Sequence, residues 1–121
     1  MKVLVADDDL ATCTLVATIL RRAGHEAILA QDATQAMLLV KKHQPELVVL
    51  DVQMPGGTGL AVLQNLKSSV RMAQIPVIIL SGVADRTKVQ QLLDMGAVEF
   101  LSKPVDPESL LAALERATSA A

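Results

Sequence analysis

Four apolar runs in this chain each end in polar residues, and the residue types suit phosphoryl chemistry on a carboxylate. Asp51 closes the run Leu47-Val48-Val49-Leu50, just ahead of the turn residues Met54-Pro55-Gly56-Gly57. Asp7-Asp8-Asp9 follow Val3-Leu4-Val5, Ser81 follows Val77-Ile78-Ile79-Leu80, and Lys103 follows Phe100-Leu101. In one pocket, Asp7, Asp8 and Asp51 would crowd three carboxylates together, which is costly unless a cation sits among them. Oxygen ligands with no His or Cys nearby point to a hard divalent ion, most naturally Mg2+ that retains several waters. Lys103 adds a compact positive charge that can pair with Asp51 or with an incoming phosphoryl oxygen. Ser81 offers a hydroxyl donor, and Gly82 leaves room beside it for a bulky anion. Metal, lysine and hydroxyl together are what a carboxylate needs to attack a phosphoryl group and hold the product.

Each residue also has a plainer reading. Any one of Asp7, Asp8 and Asp9 can cap the first helix, Ser81 can cap another, and Lys103 can be a loop lysine. Asp51 is harder to explain that way, because a carboxylate ending a buried apolar strand is rarely idle. The placement of all four at matching strand ends favours the chemical reading.

The elements that would position them alternate short apolar runs with amphipathic segments, which predicts a (βα)5 chain around a parallel sheet. Strands are expected near 2–6, 26–30, 46–50, 76–80 and 98–102, with the second the least favoured because of Ala27 and Ala30. Their Val/Ile/Leu-rich, weakly alternating composition suits a sheet covered on both faces. In such sheets ligands bind at the carboxyl ends of the strands. Leu15, Val16, Ile19, Leu20 and Ala23 form the apolar stripe of the first helix, closed by Gly24. Asp32 and Gln35 read as a capping box for the second, which Pro45 terminates. Leu60, Leu63 and Leu66 mark the third, and Val89, Leu92 and Leu93 the fourth, closed by Gly96. Asp106 as N-cap and Pro107 in the first turn open the fifth, which buries Leu110, Leu111 and Leu114.

Composition bounds the rest. At 121 residues, 51% hydrophobic and 20% charged, the chain suits one folded domain over 1–121. Its apolar stretches are far shorter than the roughly 20 residues of a membrane span, and no secretory signal is visible, so a cytoplasmic location is expected. The lone Cys13 cannot form an internal disulfide. A net charge of −2, no long basic run and a single aromatic, Phe100, argue against direct nucleic-acid binding by this domain. His25 and His43 have no partner at metal-ligand spacing and lie near helix C-termini, where an imidazole ordinarily faces solvent or the helix dipole.

Over its whole length the chain resembles the receiver domain of bacterial two-component response regulators. The resemblance rests on Val3-Leu4-Val5-Ala6-Asp7-Asp8-Asp9, Leu50-Asp51-Val52-Gln53-Met54-Pro55-Gly56, Leu80-Ser81-Gly82 and Phe100-Leu101-Ser102-Lys103-Pro104. It implies a flavodoxin-like, doubly wound five-stranded sheet in the order 2-1-3-4-5 and a phosphoacceptor role for Asp51, with a histidine kinase or phosphotransfer protein as donor. It further implies Mg2+ bound directly by Asp8, through water by Asp7, and by Asp51 and the Gln53 backbone carbonyl. Lys103 would contact the phosphoryl group, with a cis Lys103-Pro104 bond. Ser81 and Phe100 would switch inward together, read out by a downstream protein or output domain on the fourth helix, fifth strand and fifth helix. Phosphorylation-dependent dimerisation is compatible with the family.

Three residues depart from the family's commoner pattern. Ser81 stands for threonine, Phe100 for tyrosine and Thr58 for aspartate, where Thr58 can still cap the third helix. Gln53 and Val83 occupy positions that tune the lifetime of the phosphoryl group. Three alternatives stand beside this reading. A pseudo-receiver would lack an acid or the lysine, all retained in this chain. An aspartyl-phosphate phosphatase would carry a second acid at the position of Gln53. A flavodoxin-like nucleotide binder would not place three carboxylates after its first strand.

Overall fold

A computed structural model describes residues 1–54, 57–82 and 86–119. Five strands alternate with five helices: β1 (Lys2–Ala6), α1 (Leu10–Arg22), β2 (Glu26–Ala30), α2 (Ala33–His43), β3 (Leu47–Asp51), α3 (Gly59–Lys67), β4 (Val77–Ser81), α4 (Arg86–Asp94), β5 (Glu99–Ser102) and α5 (Pro107–Thr118). The strands form one parallel sheet in the order β2-β1-β3-β4-β5. After β3, Gln53 and Met54 pair antiparallel with Thr58 and Gly57, so the expected turn there is a short hairpin. Pro55 and Gly56 lie outside the described residues, as does Val83.

The weak alternation of the strands follows from their double burial. Successive side chains point to opposite faces, so a sheet covered by helices on both sides needs apolar residues at both sets of positions. Val3, Val5, Val49, Ile78 and Leu80 pack against Val16 and Leu20 of α1 and Leu110 and Leu114 of α5. Leu4, Val48, Leu50 and Ile79 face the other way, onto Ala36 and Val40 of α2, Leu63 and Leu66 of α3 and Leu92 of α4. The alanines of β2 do not weaken it. Ala27 and Ala30 are buried, one in each of these cores, so ladder and packing override local preference.

Three strands begin one residue later than expected. Pro76 has no N–H to give a ladder and contributes only its carbonyl, which accepts from the Val48 N–H at 3.0 Å, so β4 starts at Val77. The Val52 N–H donates to the Leu80 carbonyl at 3.1 Å, and Asp51 pairs with Leu80 inside the ladder. Asp51 and Ser81 are therefore the last residues of their strands and not the first beyond them.

Helix ends follow their signals with two differences. Asp9 caps α1, accepting from the Ala11 N–H at 3.1 Å and the Thr12 hydroxyl at 2.8 Å. Asp106 caps α5 through the Ser109 N–H at 2.9 Å. Asp32 accepts from the Gln35 N–H at 2.7 Å, but the Gln35 side chain returns to the N–H of Gln31, one residue upstream of the reciprocal position. The second difference is at the end of α2. There the left-handed residue is Gln44 at φ 49, ahead of Pro45, where α1 uses Gly24 at φ 90. The side chain of Thr58 lies outside the described residues. Among the described residues, no helix is long and apolar enough to cross a membrane.

Cys13 is fully buried in the α1 face of the core, and its thiol donates to the Asp7 carbonyl at 3.2 Å. Burial first, and then the nearby Asp7 charge, push its pKa up to about 11. At pH 8 the thiolate fraction is then on the order of a thousandth. A thiol-specific aromatic disulfide reagent at pH 8 should label the native protein roughly a hundredfold more slowly than the urea-unfolded chain. Equal rates in the two states would contradict this packing.

Candidate functional site

The buried polar side chains among the described residues are Asp7, Asp51 and Ser81, and all three lie at the carboxyl edge of the sheet. Asp7 directly follows β1, and its N–H donates to the Ala30 carbonyl at 3.0 Å. Its Oδ1 accepts from the Asp9 N–H at 2.9 Å, which fixes the carboxylate against the entry to α1. One oxygen from each of Asp7, Asp8 and Asp51 fits within 4.8 Å of the others, with Asp8 the exposed member. The three aspartates after β1 thus divide their work. Asp9 turns away to cap the helix, and Asp7 and Asp8 join Asp51.

Lys103 provides the positive charge. Its Nζ lies 2.7 Å from Asp7 Oδ2 and 3.4 Å from Asp51 Oδ1. Backbone bonding brings it there: the Lys103 N–H donates to the Ser81 carbonyl at 2.9 Å, and the Lys103-Pro104 peptide is cis. Burial alone would lower the lysine's pKa, but the combined pull of Asp7 and Asp51 outweighs it and holds the ammonium above its ordinary value. The stability this provides is fully present below the lysine's ordinary pKa of 10.5 and is lost as pH rises through the raised folded value. Asp7 Oδ2 is buried and meets the ammonium at 2.7 Å, the contact that offsets its charge.

Such an oxygen-only cluster, with two of its three carboxylates buried, fits a hard divalent cation. Ser81 and Gly82 border the same edge. A methyl at Gly82 would meet Lys103 Cδ at 3.5 Å, an ordinary contact, so the lysine itself does not require the glycine. Phe100, paired with Ile79 across the β4–β5 ladder, is 37% exposed. Gln53 is placed by its backbone beside Thr58, with its side chain outside the described residues. The two histidines are not part of the cluster. The His25 N–H closes α1 onto the Leu20 carbonyl at 2.9 Å, and the His43 carbonyl accepts from Lys2 Nζ at 3.3 Å.

One positioning residue is absent from the sequence reading. Gly59 opens α3, and its N–H donates to the Val52 carbonyl at 3.0 Å. A Cβ at this position would fall inside contact distance of the Asp51 carbonyl oxygen and 3.1 Å from Val52 Cα. The missing side chain lets the helix seat directly on the backbone that carries Asp51. A glycine at a helix start gives no sequence signal that separates this use from ordinary turn chemistry.

A family profile described as the response regulator receiver domain matches residues 3–115. The chain is 36% identical over 111 residues to the DNA-binding dual master transcriptional regulator RpaA of Synechocystis sp., covering 92% of this chain and 46% of that protein. It is 35% identical over 115 residues to the transcriptional regulatory protein ZraR of Escherichia coli, covering 95% of this chain and 26% of that one. It thus spans about half or less of the length of these relatives. Among solved structures, the receiver domain of NtrX from Brucella abortus matches with a TM-score of 0.92 at 33% identity, over 98% of this chain and 99% of that one. The chemotaxis protein CheY4 of Vibrio cholerae matches with a TM-score of 0.89 at 30% identity, over 96% and 97% of the two chains.

Two substitutions test this geometry. Gly59→Ala should lower unfolding free energy by about 1–3 kcal/mol in urea denaturation, because the obstructing atoms are backbone and cannot swing aside. An unchanged midpoint would contradict the close approach. Lys103→Met strands the carboxylates, and the partly exposed site moderates the penalty to roughly 1–3 kcal/mol, below that of a fully buried broken pair. Millimolar Mg2+ should raise the urea midpoint of that variant more than that of the parent, since either cation can neutralise the cluster. Equal shifts would show that the ion and the lysine do not share the site.

Proposed function

Because the chain belongs to the response regulator receiver domain family, we propose that it accepts a phosphoryl group on Asp51 and changes conformation to control a downstream partner or output domain. The observation that carries this reading is the placement of Asp51, buried at the tip of β3 with the Lys103 ammonium 3.4 Å away and the Asp7 and Asp8 carboxylates alongside. A carboxylate oxygen of Asp51 attacks the phosphorus of a phosphohistidine on a histidine kinase or phosphotransfer protein. The new P–O bond replaces the P–N bond, and the imidazole leaves with the electron pair. Asp7, Asp8, Asp51 and the Gln53 carbonyl would hold Mg2+, which supplies positive charge against the phosphoryl oxygens.

This chain's own residues do the rest. Lys103 exchanges its contact with Asp51 for one with a phosphoryl oxygen, and the Ser81 hydroxyl donates to another. Movement of Ser81 toward the phosphoryl group vacates space into which Phe100 turns. The change is read on the surface of α4, β5 and α5, a two-state switch biased by local charge. Phenylalanine has no phenolic hydroxyl, so this output does not use a hydrogen bond from that ring. The domain is a signalling module acting in the cytoplasm over residues 1–121, with only slow loss of its own phosphoryl group as turnover. It contacts no nucleic acid itself.

Intact-mass measurement after incubation with a small phosphodonor and Mg2+ should show one added phosphoryl group, abolished by EDTA and by Asp51→Asn. A folded protein that gains no mass would contradict the acceptor reading. Gln53, two residues past the acceptor, sets the lifetime of the phosphoryl group, so Gln53→Ala should change the half-life of the phosphorylated species. An unchanged half-life would remove Gln53 from that role.

A further inference from the structure

The end of the sheet opposite the carboxylates holds a cavity of about 510 Å3. Its floor is apolar, made by Val40 of α2, Pro45 ahead of β3, and Met72 and Ile75 ahead of β4. Its rim is cationic. Lys41 and Arg71 line it and are exposed, and neither makes an ion pair among the described residues. Among the described residues, no carboxylate lines the cavity. Lys42 and His43 follow Lys41, so the last turn of α2 is basic throughout.

Two neutral groups complete the rim. Gln44 holds a left-handed conformation that glycine would adopt at lower cost, yet it keeps a side chain, and that residue lines the cavity. The Ser69 hydroxyl oxygen accepts from the Met72 N–H at 3.2 Å, which leaves its own proton available to donate. Leu38, one turn before Lys41, is 63% exposed, and Val70, between Ser69 and Arg71, is 93% exposed.

We infer that this cavity binds a small amphipathic carboxylate, with its tail on the apolar floor and its head between Lys41 and Arg71. The volume lies within the range of about 300–1,000 Å3 typical of small-ligand sites, with a mostly apolar lining and few polar groups. The sign of the rim selects an anion. The planar guanidinium of Arg71, with the Ser69 hydroxyl as a further donor, suits a carboxylate head. The site is independent of Asp51 and goes beyond the phosphorylation reading.

Titration of the 15N-labelled full chain with octanoate, followed by NMR, tests this directly. Octylamine carries the same tail with the opposite charge, and acetate carries the head alone. Saturable shifts centred on the amides of Val40, Gln44, Met72 and Ile75 are expected with octanoate and with neither control. The double variant Lys41→Glu, Arg71→Glu changes only exposed side chains and should bind octanoate at least roughly tenfold more weakly with an unchanged circular dichroism spectrum. Absence of saturable shifts, equal binding of octylamine, or undiminished binding by the double variant would each overturn the assignment.

Discussion

Three carboxylates at one end of a parallel sheet cannot stay close together without positive charge, and much of this molecule serves that constraint. Asp7 is fully buried with one oxygen held by backbone and the other facing the Lys103 ammonium at 2.7 Å. With the same ammonium 3.4 Å from Asp51, a largely buried charge cluster of this kind contributes little net stability, because desolvation consumes most of the Coulomb attraction. The cluster therefore makes poor sense as a device for holding the fold together. As a site whose charge is to be rearranged it makes good sense, since an added anion or cation shifts a balance already close to even.

The fold converges on that point from several directions. Parallel pairing of β1, β3 and β4 brings three carboxyl ends side by side, and the Lys103–Ser81 backbone bond draws the end of β5 in as the fourth. Apolar residues on both faces of every central strand keep those ends from shifting, because close-packed interiors transmit displacement and do not absorb it. Gly59 adds a local constraint, seating α3 on the carbonyl of the residue whose side chain is the proposed acceptor. Polar residues at the tips of rigid strands are better fixed than residues on loops, which is what a group-transfer site requires.

Most of this was legible in the sequence because the signals are local. Apolar runs ending in Asp51, Ser81 and Asp7 announce both the sheet and its functional edge, and Asp106-Pro107 announces the start of α5. The parts that were not legible depend on partners distant in sequence. Proline sets the start of β4, but the pairing of Asp51 with Leu80 is fixed only by the β3–β4 register. Which of three consecutive aspartates caps α1 was open until the chain direction after Asp7 was known. The role of Gly59 lies in an atom it lacks. The cavity beneath β3 and β4 is assembled from α2 and the segment ahead of β4, and neither contains a motif.

The most direct test of the account is to locate the phosphoryl group chemically. Borohydride reduction of the phosphodonor-treated protein converts an aspartyl phosphate to homoserine, which peptide sequencing by mass spectrometry can place. The account predicts homoserine at position 51 and at neither 7 nor 8. Homoserine at position 7 or 8, or a stable modification that resists reduction, would contradict it.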